Sequence, residues 1–133
     1  MPGLLDPRTA ARLLQAAREA RRYAYAPYSR FRVGAAVLTH DGSVYTGCNV
    51  ENGSYGLSVC AERVAVQKAV SSGHRRIVAV AVAGRVRTTL MPCGACRQVL
   101  VEFGTRFVVT SDRGGARVHR LQDLLPQAFL RPE

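Results

Sequence analysis

The 133-residue sequence has no tryptophan, a single lysine and no long apolar run. No stretch approaches the roughly 18 apolar residues that span a bilayer. The residues after Met1 also lack the basic start and long apolar stretch of a signal peptide. We therefore expect a soluble, cytoplasmic protein without a membrane partner.

Acidic residues are scarce. Asp and Glu total 9 against 19 Lys and Arg, which gives a formal net charge of +10. A charge of this size raises the question of a nucleic-acid partner. Because the arginines fall largely on the predicted first helix and on turns, we expect a basic surface and no specific nucleic-acid partner.

Cysteine is also sparse, with residues at 48, 60, 93 and 96. Four cysteines in a chain of this length are too few for a disulfide scaffold. In a reducing compartment, the C-x-x-C pair at 93 and 96 indicates metal or redox chemistry.

The length fits one domain over residues 1–133, without internal repeats or low-complexity tracts. Asp6 and Pro7 predict the start of a first helix that ends before Pro27. Ser58 is the predicted N-cap of a second helix over 59–71, and a third runs over 92–104. Strands are predicted at 33–38, 44–49, 77–83, 107–110 and 117–119, with turns at Asp41-Gly42 and 112–115 and a short helical piece near the C-terminus. This order predicts an α/β fold, a three-layer α-β-α sandwich around a mixed five-stranded sheet.

The residues that carry chemistry stand at two predicted helix starts. Cys60-Ala61-Glu62 opens one helix, and Pro92-Cys93-Gly94-Ala95-Cys96 opens the next. Helix N-termini favour thiolates, and three thiolates can hold one Zn²⁺ with a fourth position left for water. Glu62 lies two residues from a ligand and can reach that water, so it is the candidate general acid and base.

Other interpretations remain open at this point. A lone C-x-x-C also occurs in redox sites and structural zinc sites. In contrast, C-x-E followed by P-C-x-x-C is the three-cysteine variant of H-x-E…P-C-x-x-C, the signature of zinc deaminases. Cys48 leaves a four-cysteine structural site possible, although a buried apolar role is usual for a free cysteine. His40, His74 and His119 have no ligand spacing to one another, and we assign them no chemistry.

Three longer motifs make the pattern specific. They are Asn49-Val50-Glu51-Asn52, Cys60-Ala61-Glu62-Arg63 and Pro92-Cys93-Gly94-Ala95-Cys96-Arg97-Gln98. With Tyr28–Ala36 upstream and Leu124–Phe129 downstream, they resemble the motifs of the small, homotetrameric cytidine deaminases of the three-cysteine zinc type. The resemblance covers nearly the whole chain in order.

The resemblance implies a hydrolytic deaminase that converts cytidine and deoxycytidine to uridine, deoxyuridine and ammonia in pyrimidine salvage. One zinc per chain would be held by Cys60, Cys93 and Cys96, and its water would attack C4 of the cytosine ring. Glu62 would shuttle the proton, and Arg63 would hydrogen-bond the ligand sulfurs and withdraw charge from them.

The resemblance also implies the substrate contacts. Asn49 and Glu51 would bind the ribose 3′-hydroxyl, and Phe31 would stack on the base. The Ala61 carbonyl would accept a hydrogen bond from the substrate's amino group. A neighbouring subunit of the homotetramer would contribute its Tyr55 and Phe129 to the pocket. Ser54 belongs to the same predicted set of substrate-binding residues.

Three alternatives fit part of the sequence less well. A polynucleotide-editing deaminase fits the basic charge, but such enzymes usually carry H-x-E. In addition, the carboxylate of Glu51 would be unfavourable beside a substrate phosphate. A blasticidin-type deaminase shares the three cysteines and C-x-E, whereas Arg63 and the Asn49/Glu51 pair favour the nucleoside enzyme. A structural zinc module would have no use for Glu62.

Overall fold

A computed structural model describes residues 5–85, 89–113 and 115–132. The elements in chain order are α1 (Pro7–Ala20), β1 (Gly34–Thr39), β2 (Val44–Cys48), α2 (Ala61–Ser71), β3 (Ile77–Ala83), α3 (Gly94–Glu102), β4 (Phe107–Asp112), β5 (Gly115–Arg120) and α4 (Leu121–Leu124). Short 3₁₀ turns cover Arg21–Tyr23 and Tyr55–Leu57. No helix in these ranges is both long and apolar enough to cross a membrane.

The five strands form one mixed sheet in the order β2-β1-β3-β4-β5. The central strand β3 pairs antiparallel with β1 and parallel with β4, while β2 and β5 form antiparallel edges. This arrangement confirms the predicted mixed five-stranded sheet.

Helices cover both faces of the sheet. On one face α1 buries Leu13 and Leu14 against small residues of β1 and β3, among them Ala36 and Ala81. On the other face α2 and α3 contribute the buried Val66 and Leu100 to a second core. The alternation of side chains along β1 and β3 divides the two cores. The three-layer sandwich is therefore confirmed.

The start of the first helix also agrees with the prediction. The Asp6 carboxylate accepts a hydrogen bond from the Arg8 backbone N–H at 3.0 Å, and Pro7 occupies the first helical position. A proline costs little there because its missing N–H would have no helical partner.

The predicted cap of the second helix is wrong. Val59 pairs with Val50 in an isolated bridge, so the chain is still extended at residue 59. The helix begins at Ala61 with Cys60 as its N-cap. The Ser58 hydroxyl instead accepts a hydrogen bond from the Asn52 N–H at 3.1 Å and closes the preceding loop.

Smaller differences affect the other ends. The third helix begins at Gly94 because Cys93 is its N-cap, and it ends at Glu102 before Gly104, whose φ is 71°. Strand β5 covers Gly115–Arg120, because every one of its residues pairs with β4. In the predicted turn over 112–115, Gly114 lies outside the described residues.

The strand directions decide where the helices begin. Both β2 and β3 run antiparallel to β1, which lies between them, so they run parallel to each other. Strand β2 leads to α2, and β3 leads to α3. The N-termini of these two helices therefore lie at the same edge of the sheet. Both helices also lie on the same face, because both contribute to one core.

We predict that Asp41 stabilises the β1–β2 hairpin in a pH-dependent way. Its carboxylate accepts hydrogen bonds from the Thr39 hydroxyl and the Ser43 N–H, and these lower the pKa of Asp41 from 3.8 to about 2. A lowered pKa adds stability above pH 4 that disappears as the pH falls through about 2. Asp41→Asn should therefore unfold at lower urea concentration than wild type at pH 7, and the difference should shrink as the pH approaches 2.

The matched control is Asp112→Asn, at the exposed end of β4. Equal urea midpoints of Asp41→Asn and wild type at pH 7 would contradict the prediction.

Candidate active site

The three cysteines of the two motifs meet in space. The Sγ atoms of Cys60, Cys93 and Cys96 all lie within 4.8 Å of one another, and those of Cys93 and Cys96 are 3.5 Å apart. Tetrahedral zinc with Zn–S bonds of about 2.3 Å places neighbouring sulfurs about 3.8 Å apart. The donor set and its spacing therefore fit zinc, and three protein ligands leave a fourth position open.

Two of these cysteines are helix N-caps. Cys60 caps α2 and Cys93 caps α3, and neither thiol is used to cap a backbone N–H of its helix. The positive ends of both helices therefore point toward the sulfur cluster, where they stabilise negative charge. A hydrogen bond from Cys96, and contacts with Arg63, lower the pKa of Cys60 to about 5. The hydrogen bond between Cys96 and Cys60, together with burial, raises the pKa of the Cys96 thiol.

Arg63 lies against the cluster. Its Nη2 donates a hydrogen bond to Cys60 Sγ at 3.3 Å, and its Nε is buried without a hydrogen-bond partner among the described residues. A guanidinium in this position offsets part of the negative charge that three thiolates bring. The structure therefore places Arg63 in hydrogen-bond contact with one of the three sulfurs.

Glu62 occupies the first turn of α2 and is 5% exposed. Burial, and then the negative charge at Cys60, raise the pKa of its carboxyl. The residue lines a cavity of about 170 Å³ together with Cys60, Cys93 and Ala61. A buried carboxyl beside a metal-binding cluster is a suitable group for taking up and returning a proton.

A larger cavity of about 670 Å³ lies elsewhere, between the start of α1 and β5, with Arg117 and Asp123 in its wall. It contains no cysteine. We place the site in the smaller cavity because the thiols, a buried carboxyl and a polar amide converge in it.

The predicted ribose and base contacts lie around this cavity but differ in access. Asn49 lines it directly. Phe31 is half-buried, and its ring lies close to Gly84, as does Leu90 of the cavity wall. Glu51 does not line the cavity, because its carboxylate is turned toward the backbone of Tyr28 and Ser29.

The remaining predicted contacts lie outside the cavity. Tyr55 is 76% exposed and meets Tyr28 edge to face, with ring centroids 6.0 Å apart. Ser54 is exposed in the same loop. Phe129 is 69% exposed, and both its N–H and its carbonyl are hydrogen-bonded to the side chain of Gln98. The single chain does not bring these three residues to the thiols.

Gly47 allows the closest approach between the sheet and the site. A Cβ at this position would lie 2.5 Å from Ala65 N and 2.6 Å from Ala61 O. Only glycine lets β2 pack directly on the first turn of α2. The position of Cys60 and Glu62 therefore depends on a residue without a side chain.

Sequence reasoning missed several residues. Leu90 and Met91 line the cavity, and only their place before Pro92 could have indicated it. Arg97 belongs to the motif over 92–98, and the sequence predicts no role for it. Its Nε donates to the Pro92 carbonyl at 2.8 Å and its Nη1 to the Leu124 carbonyl at 2.7 Å, so it joins the start of α3 to the C-terminal segment.

Comparison with known families agrees with this geometry. Residues 7–111 match the family model described as the cytidine and deoxycytidylate deaminase zinc-binding region. The chain belongs to this deaminase family. It therefore binds zinc, for which the three-cysteine cluster is the fitting donor set.

Individual deaminases of the family are similar over most of their length. The cytidine deaminase of Halalkalibacterium halodurans is 48% identical over 120 residues, which are 88% of this chain and 91% of that protein. The cytidine deaminase of Mycobacterium tuberculosis is 53% identical over 106 residues, or 80% of this chain and 78% of that one.

Solved structures of the family share the fold. The crystal structure of a cytidine deaminase from Burkholderia pseudomallei aligns with a TM-score of 0.82 at 52% identity, over 89% of this chain and 97% of that chain. The Mycobacterium tuberculosis structure aligns with a TM-score of 0.79 at 49% identity, over 90% and 96% of the two chains.

We predict one zinc per chain of this deaminase, held without Cys48. Cys48 lies in β2 and is absent from the sulfur cluster, so Cys48→Ala should retain the metal. Cys93→Ala removes one of three ligands and should lose it. Atomic emission analysis of the purified variants measures the content. Loss of zinc from Cys48→Ala, or full zinc in Cys93→Ala, would contradict this ligand set.

Proposed function

We propose that the chain catalyses zinc-dependent hydrolytic deamination of cytidine and deoxycytidine, with uridine, deoxyuridine and ammonia as products, in pyrimidine salvage. The observation that carries the proposal is the buried Glu62 carboxyl in the cavity that also contains Cys60 and Cys93. A structural zinc site has no need of a buried carboxyl with a raised pKa.

Bound zinc supplies the Lewis acid that makes water nucleophilic near neutral pH. Glu62 removes a proton from the attacking water and delivers it to N3 of the cytosine ring. The same carboxyl then helps to protonate the departing ammonia, so it is regenerated in each turnover. Burial of Glu62 suits this role, because a carboxyl with a raised pKa accepts a proton more readily than an exposed one.

The chain's own residues bind and orient the nucleoside. The carbonyl of Ala61 accepts from the amino group that leaves. Asn49 offers the second N–H of its side-chain amide to the ribose, because the first is bonded to the Phe31 carbonyl. Glu51 accepts from the 3′-hydroxyl, and Phe31 stacks on the base.

We also propose a homotetramer with shared active sites. A cavity of about 170 Å³ is smaller than the roughly 300–1,000 Å³ of most ligand pockets. Tyr55 and Phe129 are large, apolar and exposed in the isolated chain. A neighbouring subunit that inserts such residues would both enlarge the pocket wall and bury them.

The free thiols of the cluster need a reducing compartment, and on this ground we expect the chain to act in the cytoplasm. We also propose that the positive charge is a surface property of the assembly and does not bind a specific nucleic acid.

The proposal predicts that purified protein converts cytidine to uridine and that Glu62→Gln lowers kcat by about 10²- to 10⁴-fold. The amide keeps the shape of the carboxyl but cannot carry the proton. The loss of cytidine absorbance in the ultraviolet measures the rate. Glu102→Gln, at the exposed end of α3, is the matched control and should remain active.

If wild-type protein is inert on both nucleosides but edits single-stranded oligonucleotides, the proposal is wrong and the chain is a polynucleotide-editing deaminase. If activity survives in Glu62→Gln, the proposed substrate is unaffected but the proposed role of Glu62 as proton carrier is wrong.

The shared pocket predicts complementation between two weakened variants. Glu62→Gln chains carry an intact Phe129, and Phe129→Ala chains carry an intact Glu62. Mixed tetramers formed after mild dissociation should therefore recover activity, because some sites combine both intact residues. Sedimentation should give the mass of four chains. A fully active monomer, or no recovery on mixing, would contradict the shared pocket.

A further inference from the structure

The hydroxyl of Ser29 connects two residues of the proposed substrate pocket. Ser29 Oγ donates a hydrogen bond to Glu51 Oε2 and accepts one from the Phe31 N–H at 3.0 Å. Under the proposed function, Glu51 binds the ribose and Phe31 stacks on the base. One small side chain therefore joins the ribose contact to the base contact.

Glu51 is oriented by further donors on the same segment. Its Oε1 accepts from the Tyr28 N–H at 3.0 Å and from the Ser29 N–H at 3.1 Å. These hydrogen bonds keep the pKa of Glu51 below its ordinary value, with the Ser29 hydroxyl as the largest cause. The carboxylate is therefore held in its ionised form and in one orientation.

Asn49 holds the other side of Phe31. Its Oδ1 accepts from the Val33 N–H at 2.8 Å, and its Nδ2 donates to the Phe31 carbonyl at 2.8 Å. Residues 28–33 are therefore fixed at one end by Glu51 and at the other by Asn49. Ser29 supplies the bond that reaches the Phe31 N–H.

The backbone between Ser29 and Phe31 is unusual. Arg30 has a φ of 57°, in the left-handed region that residues other than glycine seldom adopt. Such a conformation persists where the surrounding contacts over-determine it, and it is common at functional sites. The Arg30 N–H donates to the Ala26 carbonyl at 3.0 Å, and the hydrogen bonds that Ser29, Glu51 and Asn49 make to residues 28–33 hold the backbone on both sides of it.

We infer that Ser29 is a positioning residue for nucleoside binding, which orients Glu51 and Phe31 together through its hydroxyl. This inference rests on the proposed function. The Ser29 hydroxyl donates a hydrogen bond to Glu51 and accepts one from the Phe31 N–H, and among the described contacts it bonds neither the thiols nor Glu62. It therefore orients the binding groups without a part in the proton transfer.

The inference has a kinetic signature. Ribose and base contacts are made in the ground state and in the transition state alike, so their loss weakens binding uniformly. Removal of the Ser29 hydroxyl should raise KM and leave kcat unchanged. A general loss of folding would lower the concentration of active enzyme instead, and would reduce the apparent kcat at unchanged KM.

The experiment measures KM and kcat for cytidine and deoxycytidine in wild type, Ser29→Ala, Ser29→Thr and Ser71→Ala. Thr keeps a hydroxyl. Ser71→Ala is the same chemical change at the exposed end of α2, where the hydroxyl bonds only the Lys68 carbonyl among the described contacts. Urea unfolding of each variant measures stability separately.

We expect Ser29→Ala to raise KM about tenfold for both nucleosides, with kcat within about twofold of wild type. Ser29→Thr keeps a hydroxyl and should have a KM much closer to that of wild type, and Ser71→Ala should behave as wild type. An unchanged KM in Ser29→Ala, or a fall in kcat alone, would overturn the inference while the proposed function stands. A wild type inert on both nucleosides would remove the proposed function, and this inference with it.

Discussion

The common direction of β2 and β3 is the constraint on which the site depends. Because both strands run antiparallel to β1 between them, the chain leaves each strand at the same edge of the sheet. The helices that follow pack on the same face, since both contribute to one core. Two helix N-termini meet there, and each is capped by a cysteine. The cluster of three thiols is a result of this topology, and neither helix alone could form it.

The few acidic residues of the chain acquire different properties according to their surroundings. Glu62 is buried beside negative sulfur, which raises its pKa and suits proton transfer. Glu51 is half-buried and surrounded by N–H and O–H donors, which lower its pKa and suit a permanent hydrogen-bond acceptor. These two carboxyl groups can thus take different roles, one in catalysis and one in binding, because their surroundings shift their pKa values in opposite directions.

Local patterns in the sequence predicted the elements well. The apolar run of β3, the Asp6-Pro7 helix start and the Asp41-Gly42 hairpin each depend on short-range chemistry, and the structure agrees with them. The start of α2 was mispredicted because Ser58 is a better cap by composition than Cys60. The long-range bridge between Val50 and Val59 keeps the chain extended past it.

The motif spacing also indicated which side chains would gather, since Cys60, Cys93, Cys96 and Glu62 do converge. It could not indicate the wall formed by Leu90 and Met91, or the hydrogen bonds of Ser29, because these depend on how distant loops fold against one another. Tyr55 and Phe129 are exposed in one chain, and no property of that chain alone determines what covers them.

The contact at Gly47 has a consequence for how the protein tolerates change. Position 47 contributes no reactive group, yet any side chain there would collide with the backbone that carries Cys60 and Glu62. In a survey of all single substitutions, position 47 would tolerate replacement as poorly as a metal ligand does. The reason would be steric and not chemical, so intolerance at a position near this site does not by itself identify a participant in the reaction.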